Sequence, residues 1–137
     1  MIAASIERVW DILTDLDRYE LWHPSMELID LPRGDELAPG TILHLRTNRG
    51  KPTEVAFDVT VTEVTKPSVL AWEGGEPRVF FGRHRWVLTT EGEGTRLLDE
   101  EAFTGAMAAA VLTEHRETLQ ATYAASGMAL KAAAEHR

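Results

Sequence analysis

Apolar residues near the start of the chain follow helical spacing. Four of them fall at i, i+3, i+4 and i+7 after Ser5: Ile6, Val9, Trp10 and Leu13. This spacing places them on one face of a helix, and serine is a favoured N-cap residue. The pattern therefore predicts a helix over residues 5–14. Asp15 and Asp17 are expected to cap a second short helix, which must end before Pro24 because proline disfavours helix at the preceding residue.

From residue 26 to residue 104 the alternation of apolar and polar residues changes to a period of two, with glycine or proline at the breaks. This pattern predicts six short strands: residues 27–31, 41–47, 53–65, 68–73, 79–90 and 95–104. No helical stretch separates these strands, so successive strands are expected to pair as an antiparallel meander. The sequence thus indicates an α+β fold.

After Gly105 the chain is rich in alanine and is predicted to be helical to its end. A helix of about 25 residues would be about 38 Å long, enough to cross a domain of this size. Alanines at its start leave space opposite the sheet, and five aromatic residues are predicted to face that space: Phe57, Trp72, Phe80, Trp86 and Phe103. An apolar cavity or a solid core would both satisfy this pattern.

Composition narrows the possible functions of the chain. Its 137 residues fit a single domain spanning residues 1–137, and its net charge of -8 disfavours nucleic acid as a partner. There is no cysteine, the five histidines show no HxH or HExxH spacing, and no glycine-rich nucleotide motif occurs. We therefore expect neither a metal nor a cofactor. Without a signal peptide or a long apolar run, we expect a cytoplasmic protein with no integral membrane association.

Three stretches carry a family resemblance. They are residues 2–15 with the Trp22-His23-Pro24 elbow, residues 70–72 with 82–105, and residues 123–135. Together they resemble the START-like or Bet v 1-like superfamily, in particular its polyketide cyclase/dehydrase and lipid-transport group, also called SRPBCC. The resemblance implies a helix-grip fold, in which a curved antiparallel sheet of six to seven strands surrounds a long C-terminal helix, with two short helices near the N-terminus. It also implies an internal tunnel for lipids, steroids, polyketides or other aromatic metabolites.

The start of the chain departs from the family pattern. The family's first strand has several more residues before the position of Ala4, whereas only residues 1–3 precede it here. We expect either a shortened first strand or a start further upstream, with an unpaired sheet edge. Such an edge makes a homodimer through strand pairing possible.

Two histidines and one glutamate are candidates for chemistry. His84 is predicted to face inward, where an imidazole can donate a hydrogen bond or exchange a proton, although it could equally be a satisfied core residue. His115 lies on the inner stripe of the helix, and Glu101 needs a partner or a wet cavity to be buried. An arginine is the expected partner of Glu101.

The remaining predictions concern the two faces of the sheet. The predicted ligand-binding residues are Leu43, Phe57, Val59, Trp72, Phe80, His84, Trp86, Glu101, Phe103, Met107, Val111 and His115. On the outer face, arginines that include Arg83 and Arg85 are expected to form salt bridges with acidic residues: Glu73, Glu91 and Asp99. By default, the charged side chains of such a face are simply solvated by water, and we assign no site to them.

Three function classes remain open. The leading hypothesis is binding or transport of a small hydrophobic, lipid-, steroid- or polyketide-like molecule. The first alternative is a polyketide cyclase or aromatase that uses acid/base chemistry of Glu101, His84 or His115 without a metal. The second is a protein interaction module like the co-chaperone branch of the superfamily, in which the acidic surface binds a basic partner. No catalytic residue is assigned, and we favour binding over catalysis.

Overall fold

The computed structural model describes residues 1–30 and 37–136 of the chain. Its helices are α1 (Ile6–Thr14), a 3₁₀ turn (Leu16–Arg18), α2 (Tyr19–Trp22) and α3 (Ala108–Glu135). Its strands are β1 (Met26–Asp30), β2 (Ile42–Thr47), β3 (Val55–Thr65), β4 (Val69–Glu76), β5 (Phe80–Glu91) and β6 (Gly94–Thr104). Leu31, predicted as the end of the first strand, lies outside the described residues.

The strands form one curved antiparallel sheet in the order β1-β2-β3-β4-β5-β6, which confirms the predicted meander. Each strand pairs with its neighbour in sequence, and irregularities interrupt the register in β1 near Leu28 and in β3 between Val61 and Glu63. Such bulges bend a strand and increase its twist. The concave face of the sheet is turned toward α3, so the fold is the predicted helix-grip arrangement.

The N-terminal elbow, which consists of residues 5–24 and contains α1, the 3₁₀ turn and α2, begins with the predicted N-cap residue. The Ser5 hydroxyl accepts a hydrogen bond from the backbone N–H of Arg8 at 3.2 Å, as an N-cap residue does. The predicted aspartate cap of the next turn is wrong for Asp15, which makes no capping hydrogen bond and instead lies 3.8 Å from the Arg18 guanidinium. The Asp17 side chain lies outside what the structure describes.

The packed core lies where α1 and the C-terminal half of α3 meet the sheet. Its most deeply buried aliphatic side chains come from all three: Val9, Leu13, Leu43, Leu45, Val61, Leu70 and Leu130. Ile2 exchanges two backbone hydrogen bonds with Thr95 of β6, at 2.7 and 2.8 Å, and so partly covers the sheet edge that was expected to be unpaired. No helix in the described part of the chain combines the length and apolar character needed to cross a bilayer.

A tight turn joins β6 to α3. Gly105 adopts a φ of 101°, and a Cβ at this position would lie 2.5 Å from the Val79 carbonyl oxygen, so only glycine fits there. The next two backbone N–H groups donate to the turn between β4 and β5, from Ala106 to Arg78 at 3.0 Å and from Met107 to Val79 at 2.7 Å. The start of α3 is therefore fixed to that turn.

Candidate functional site

A cavity of about 710 Å³ lies between the concave face of the sheet and α3. Its size falls within the range of small-molecule sites, which are also mostly apolar with a few polar groups. The walls come from the N-terminal elbow, from all six strands and from α3. The aromatic residues of the sheet therefore line an open space and do not fill a solid core.

Most of the predicted ligand-binding residues line this cavity: Phe57, Val59, Trp72, Phe80, His84, Trp86, Glu101, Phe103, Val111 and His115. Leu43 and Met107 do not. Leu43 faces inward as predicted but is fully buried in the packed core. Met107 lies in the turn before α3 and is 48% exposed, because the helix begins only at Ala108. Placing these two residues at the cavity was wrong.

His84 is the centre of a polar chain on the cavity wall. Its Nε2 hydrogen bonds to the carboxylate of Asp99 on the inner face of β6. In the strand register Asp99 lies opposite Trp86, and Glu101 lies opposite His84. The His84 ring stacks on the Trp86 ring with centroids 3.8 Å apart. Since a carboxylate only accepts, His84 donates from Nε2 and its Nδ1 faces away from Asp99. The prediction that placed Asp99 among the outer salt bridges was therefore wrong. The expected outer pair of Arg83 and Glu73 is present, with a distance of 3.2 Å.

Glu101 continues the chain from the sheet to the helix. Its Oε1 accepts a hydrogen bond from the Tyr123 hydroxyl of α3 and lies 3.7 Å from His84 Nδ1. The expected arginine partner was wrong. Burial raises the pKa of Glu101, the nearby His84 opposes that rise, and the charge of Asp99 adds to it. The carboxyl group is thus held closer to the range in which it can exchange a proton.

A second polar pair, which sequence reasoning missed, joins the elbow to α3. His23 Nδ1 accepts from the backbone N–H groups of Ser25, at 3.2 Å, and Met26, at 3.0 Å. The ring proton is therefore on Nε2, which donates to the Ser126 hydroxyl at 2.9 Å. Burial and, to a smaller extent, the nearby His84 lower the pKa of His23 to about 4, against an opposing effect of Asp99. His23 is consequently neutral, and the Ser126 proton remains available to the cavity.

Two further residues, Tyr19 and Trp22, line the cavity although the sequence did not predict them as lining residues. The indole N–H of Trp22 is buried and has no hydrogen-bond partner among the described residues. Tyr19 donates its hydroxyl proton to the Leu13 carbonyl, and its burial, with Asp99 and Asp15 adding to it, raises the pKa of the phenol. Both residues precede the His23-Pro24 dipeptide of the elbow, and that dipeptide is the sequence feature that could have indicated them.

His115 lies apart from these polar groups. Its side chain is 57% exposed and approaches Glu114 at 3.7 Å, so it borders the cavity on the solvent side. Across residues 1–30 and 37–136, no group of three or more histidine, aspartate or glutamate side chains is arranged to hold a metal ion.

Solved structures share this fold. Protein CV1439 from Chromobacterium violaceum matches with a TM-score of 0.78 at 13% identity, covering 100% of this chain and 94% of its own. Protein jhp0584 from Helicobacter pylori matches at 0.77 and 18% identity, covering 98% and 83%. The di-domain ARO/CYC protein StfQ from the steffimycin biosynthetic pathway matches at 0.76 and 15% identity, covering 99% of this chain and 48% of its own. This chain thus spans about half of StfQ.

Sequence comparison gives the family. Among curated proteins no sequence matches the chain. Residues 1–135 match the family described as polyketide cyclase / dehydrase and lipid transport, and this match includes every element that lines the cavity. The description of this family covers cyclase, dehydrase and lipid-transport roles and does not choose among them. The chain belongs to the polyketide cyclase/dehydrase and lipid-transport family.

Proposed function

We propose that this protein binds a small, largely apolar molecule in its internal cavity. The observation that carries the proposal is the volume of about 710 Å³ between the sheet and α3. Burying the apolar surface of a guest there is favourable by about 25 cal/mol for each Å² removed from water. The polar chain of Asp99, His84, Glu101 and Tyr123 provides a place for one polar end of the guest.

Two tryptophan variants of α3 test this proposal. Leu119 lines the cavity and is half-buried, whereas the neighbouring Gln120 is exposed and does not line it. Leu119→Trp should fill part of the cavity and weaken binding of 1-anilinonaphthalene-8-sulfonate about tenfold, which corresponds to about 1.4 kcal/mol. Gln120→Trp should bind the dye as the unmodified protein does. Fluorescence titration measures both affinities, and native mass spectrometry gives the stoichiometry.

Two outcomes would overturn binding in the cavity. One is the absence of saturable dye binding to the unmodified protein. The other is an equal loss of affinity in Leu119→Trp and Gln120→Trp, which would place the dye on the surface of the helix.

A cyclase role is the second candidate, and the raised pKa of Glu101 beside His84 favours it. In an aldol closure, Glu101 would take a proton from a methylene carbon between two carbonyl groups. The resulting carbanion would form a carbon–carbon bond to a third carbonyl, whose oxygen would receive a proton from the Glu101 acid or from water. No oxidant or reductant is needed for this step.

Matched glutamine variants test catalysis. Glu101→Gln removes the proposed base, and its amide oxygen can still accept from Tyr123. Glu100→Gln changes the adjacent outward carboxylate, which pairs with Arg85 at 3.2 Å. With a linear poly-β-ketone thioester as substrate, an enzyme should lose about 100-fold in kcat in the first variant and nothing in the second. Equal rates in all three proteins would exclude Glu101 as the base.

A further inference from the structure

Gly82 is the only position without a side chain on the inner face of β5 within the cavity. The inner face of this strand otherwise presents large groups: Phe80, His84, Trp86 and Leu88. Gly82 itself lines the cavity, and its φ is not in the positive range. Backbone geometry therefore does not require glycine here. The requirement comes from the space that a side chain would take.

Two side chains of β6 occupy that space. A Cβ on Gly82 would lie 2.9 Å from Glu101 Oε2 and 3.3 Å from Phe103 Cε1. Phe103 is the direct partner of Gly82 in the β5–β6 register, and its ring stacks on Phe80 with centroids 4.9 Å apart and planes 12° from parallel. The missing Cβ thus allows the Phe103 ring to lie close against β5, so that the cavity remains open above it.

The absence of a side chain at Gly82 also leaves room for a carboxyl oxygen of Glu101, which is a free hydrogen-bond acceptor. Glu101 Oε1 is engaged by Tyr123 and lies near His84, whereas Oε2 faces Gly82 and has no hydrogen-bond partner among the described residues. A flat pair of aromatic rings and an unsatisfied carboxyl oxygen therefore lie side by side on the cavity floor. Aromatic rings attract a stacked or edge-on ring, and the oxygen accepts a proton donor.

We propose that Gly82 is a specificity-determining residue that selects planar, ring-bearing ligands with a hydroxyl donor. The ring of the ligand packs on Phe80 and Phe103, and its hydroxyl donates to Glu101 Oε2. This inference rests on the proposed binding function and names the ligand class for the same cavity. A side chain at position 82 would push Phe103 and Glu101 into the cavity and remove both contacts at once.

The test compares two alanine variants. Gly82→Ala places its new methyl group against Phe103 and Glu101, whose side chains can move. Gly127→Ala on α3 adds the same methyl group to another part of the lining, where the nearest neighbour is Leu97 Cδ2 at an ordinary 3.8 Å. Isothermal titration calorimetry with 2-naphthol, 2-methoxynaphthalene and 1-decanol separates the contributions of hydroxyl donor, ring and flexible chain.

The unmodified protein should bind 2-naphthol about tenfold more tightly than 2-methoxynaphthalene, because only the naphthol can donate to the carboxyl oxygen. Gly82→Ala should reduce this ratio to about twofold or less and should change 1-decanol affinity by less than about threefold, since a flexible chain can adapt. Gly127→Ala should keep the naphthol preference, whatever its effect on absolute affinity. Phe103→Leu removes the flat ring by another route and should weaken both naphthalene probes.

The outcomes separate this inference from the proposed function. If the unmodified protein binds none of the three probes, the binding function itself fails. If it binds them without a naphthol preference, or if Gly82→Ala keeps that preference, the role of Gly82 is wrong while the binding function stands. Should Gly82→Ala not fold, an unchanged affinity of Phe103→Leu for the naphthalene probes would contradict the proposal.

Discussion

The two halves of α3 differ in how they meet the rest of the protein. In the C-terminal half, Leu130 and Ala134 are each only 2% exposed and pack in the core beside α1, although Leu130 also borders the end of the cavity. In the N-terminal half, His115 is 57% exposed and Leu119 is half-buried, although both face the cavity. The last turns of α3 thus contribute most of its packed core, whereas residues 111–127 contribute most of its cavity wall.

The two halves of α3 are therefore expected to contribute differently to the stability of the fold and to ligand binding. A core side chain stabilises the fold by the apolar area it buries and by filling its space, whereas a cavity-lining side chain leaves space unfilled on one side. The C-terminal half is therefore expected to hold α3 in place, and the N-terminal half to determine which guest fits. Three measurements test this expectation.

The largest difference is expected between two leucine-to-alanine variants. Leu130→Ala should lower the free energy of unfolding by about 3 kcal/mol, because this side chain is almost fully buried and packs in the core. Leu119→Ala should cost less than about 1 kcal/mol, since its side chain is only half-buried. Urea unfolding followed by tryptophan fluorescence gives both values. Similar losses in the two variants would mean that the halves are packed alike.

The pH dependence of stability tests the junction between the halves, where His23 donates to Ser126. The folded-state pKa of His23 is about 4, below its ordinary 6.5, so its stabilising effect is complete above pH 6.5 and is lost as the pH falls toward 4. Between pH 7 and pH 5 the loss should be about 2 kcal/mol. Unfolding free energies at the two pH values measure it.

His23→Asn is the matched variant for this measurement. The asparagine side-chain oxygen can accept from the following backbone N–H groups as Nδ1 does, but it does not titrate. The variant should therefore lose about 2 kcal/mol less than the unmodified protein over the same pH interval. An identical pH slope in both proteins would show that His23 is not buried as a neutral ring.

The smallest effect is expected at the end of α3, where Arg8 donates to the last carbonyl groups. Its Nε lies 2.5 Å from the Ala134 oxygen, and its Nη2 lies 2.5 Å from the His136 oxygen. Arg8→Ala should cost about 1 kcal/mol and speed hydrogen exchange at residues 132–136. Arg116→Ala, an exposed change in the other half, is the control and should leave exchange there unchanged. Equal exchange in all three proteins would show that Arg8 does not hold this end.

Local patterns in the sequence predict much of the fold. The Ser5 cap, the order of the six strands and the inward face of β5 depend on neighbours a few residues apart, which periodicity and capping describe directly. Alternation also places Leu43 on the correct face. It does not tell how far along the sheet the packed core ends and the cavity begins, and for that reason Leu43 was assigned to the wrong region.

The polar contacts of the site could not be predicted in the same way. Glu101 meets Tyr123, and His23 meets Ser126, across long separations in sequence. Both contacts depend on the rotation of α3 about its axis and on its height above the curved sheet. An alanine-rich helix has no sharp apolar stripe to fix that rotation from the sequence alone.

The turn at Gly105 limits the routes by which the proposed guest could exchange with solvent. Backbone hydrogen bonds fix the start of α3 to the β4–β5 turn, and Arg8 holds its far end. We therefore expect the proposed guest to exchange at cavity-lining residues that are exposed to solvent, among them Val55 of β3 and His115 of α3. Its residence time should then depend on side-chain rearrangement at these residues, without release of either end of the helix.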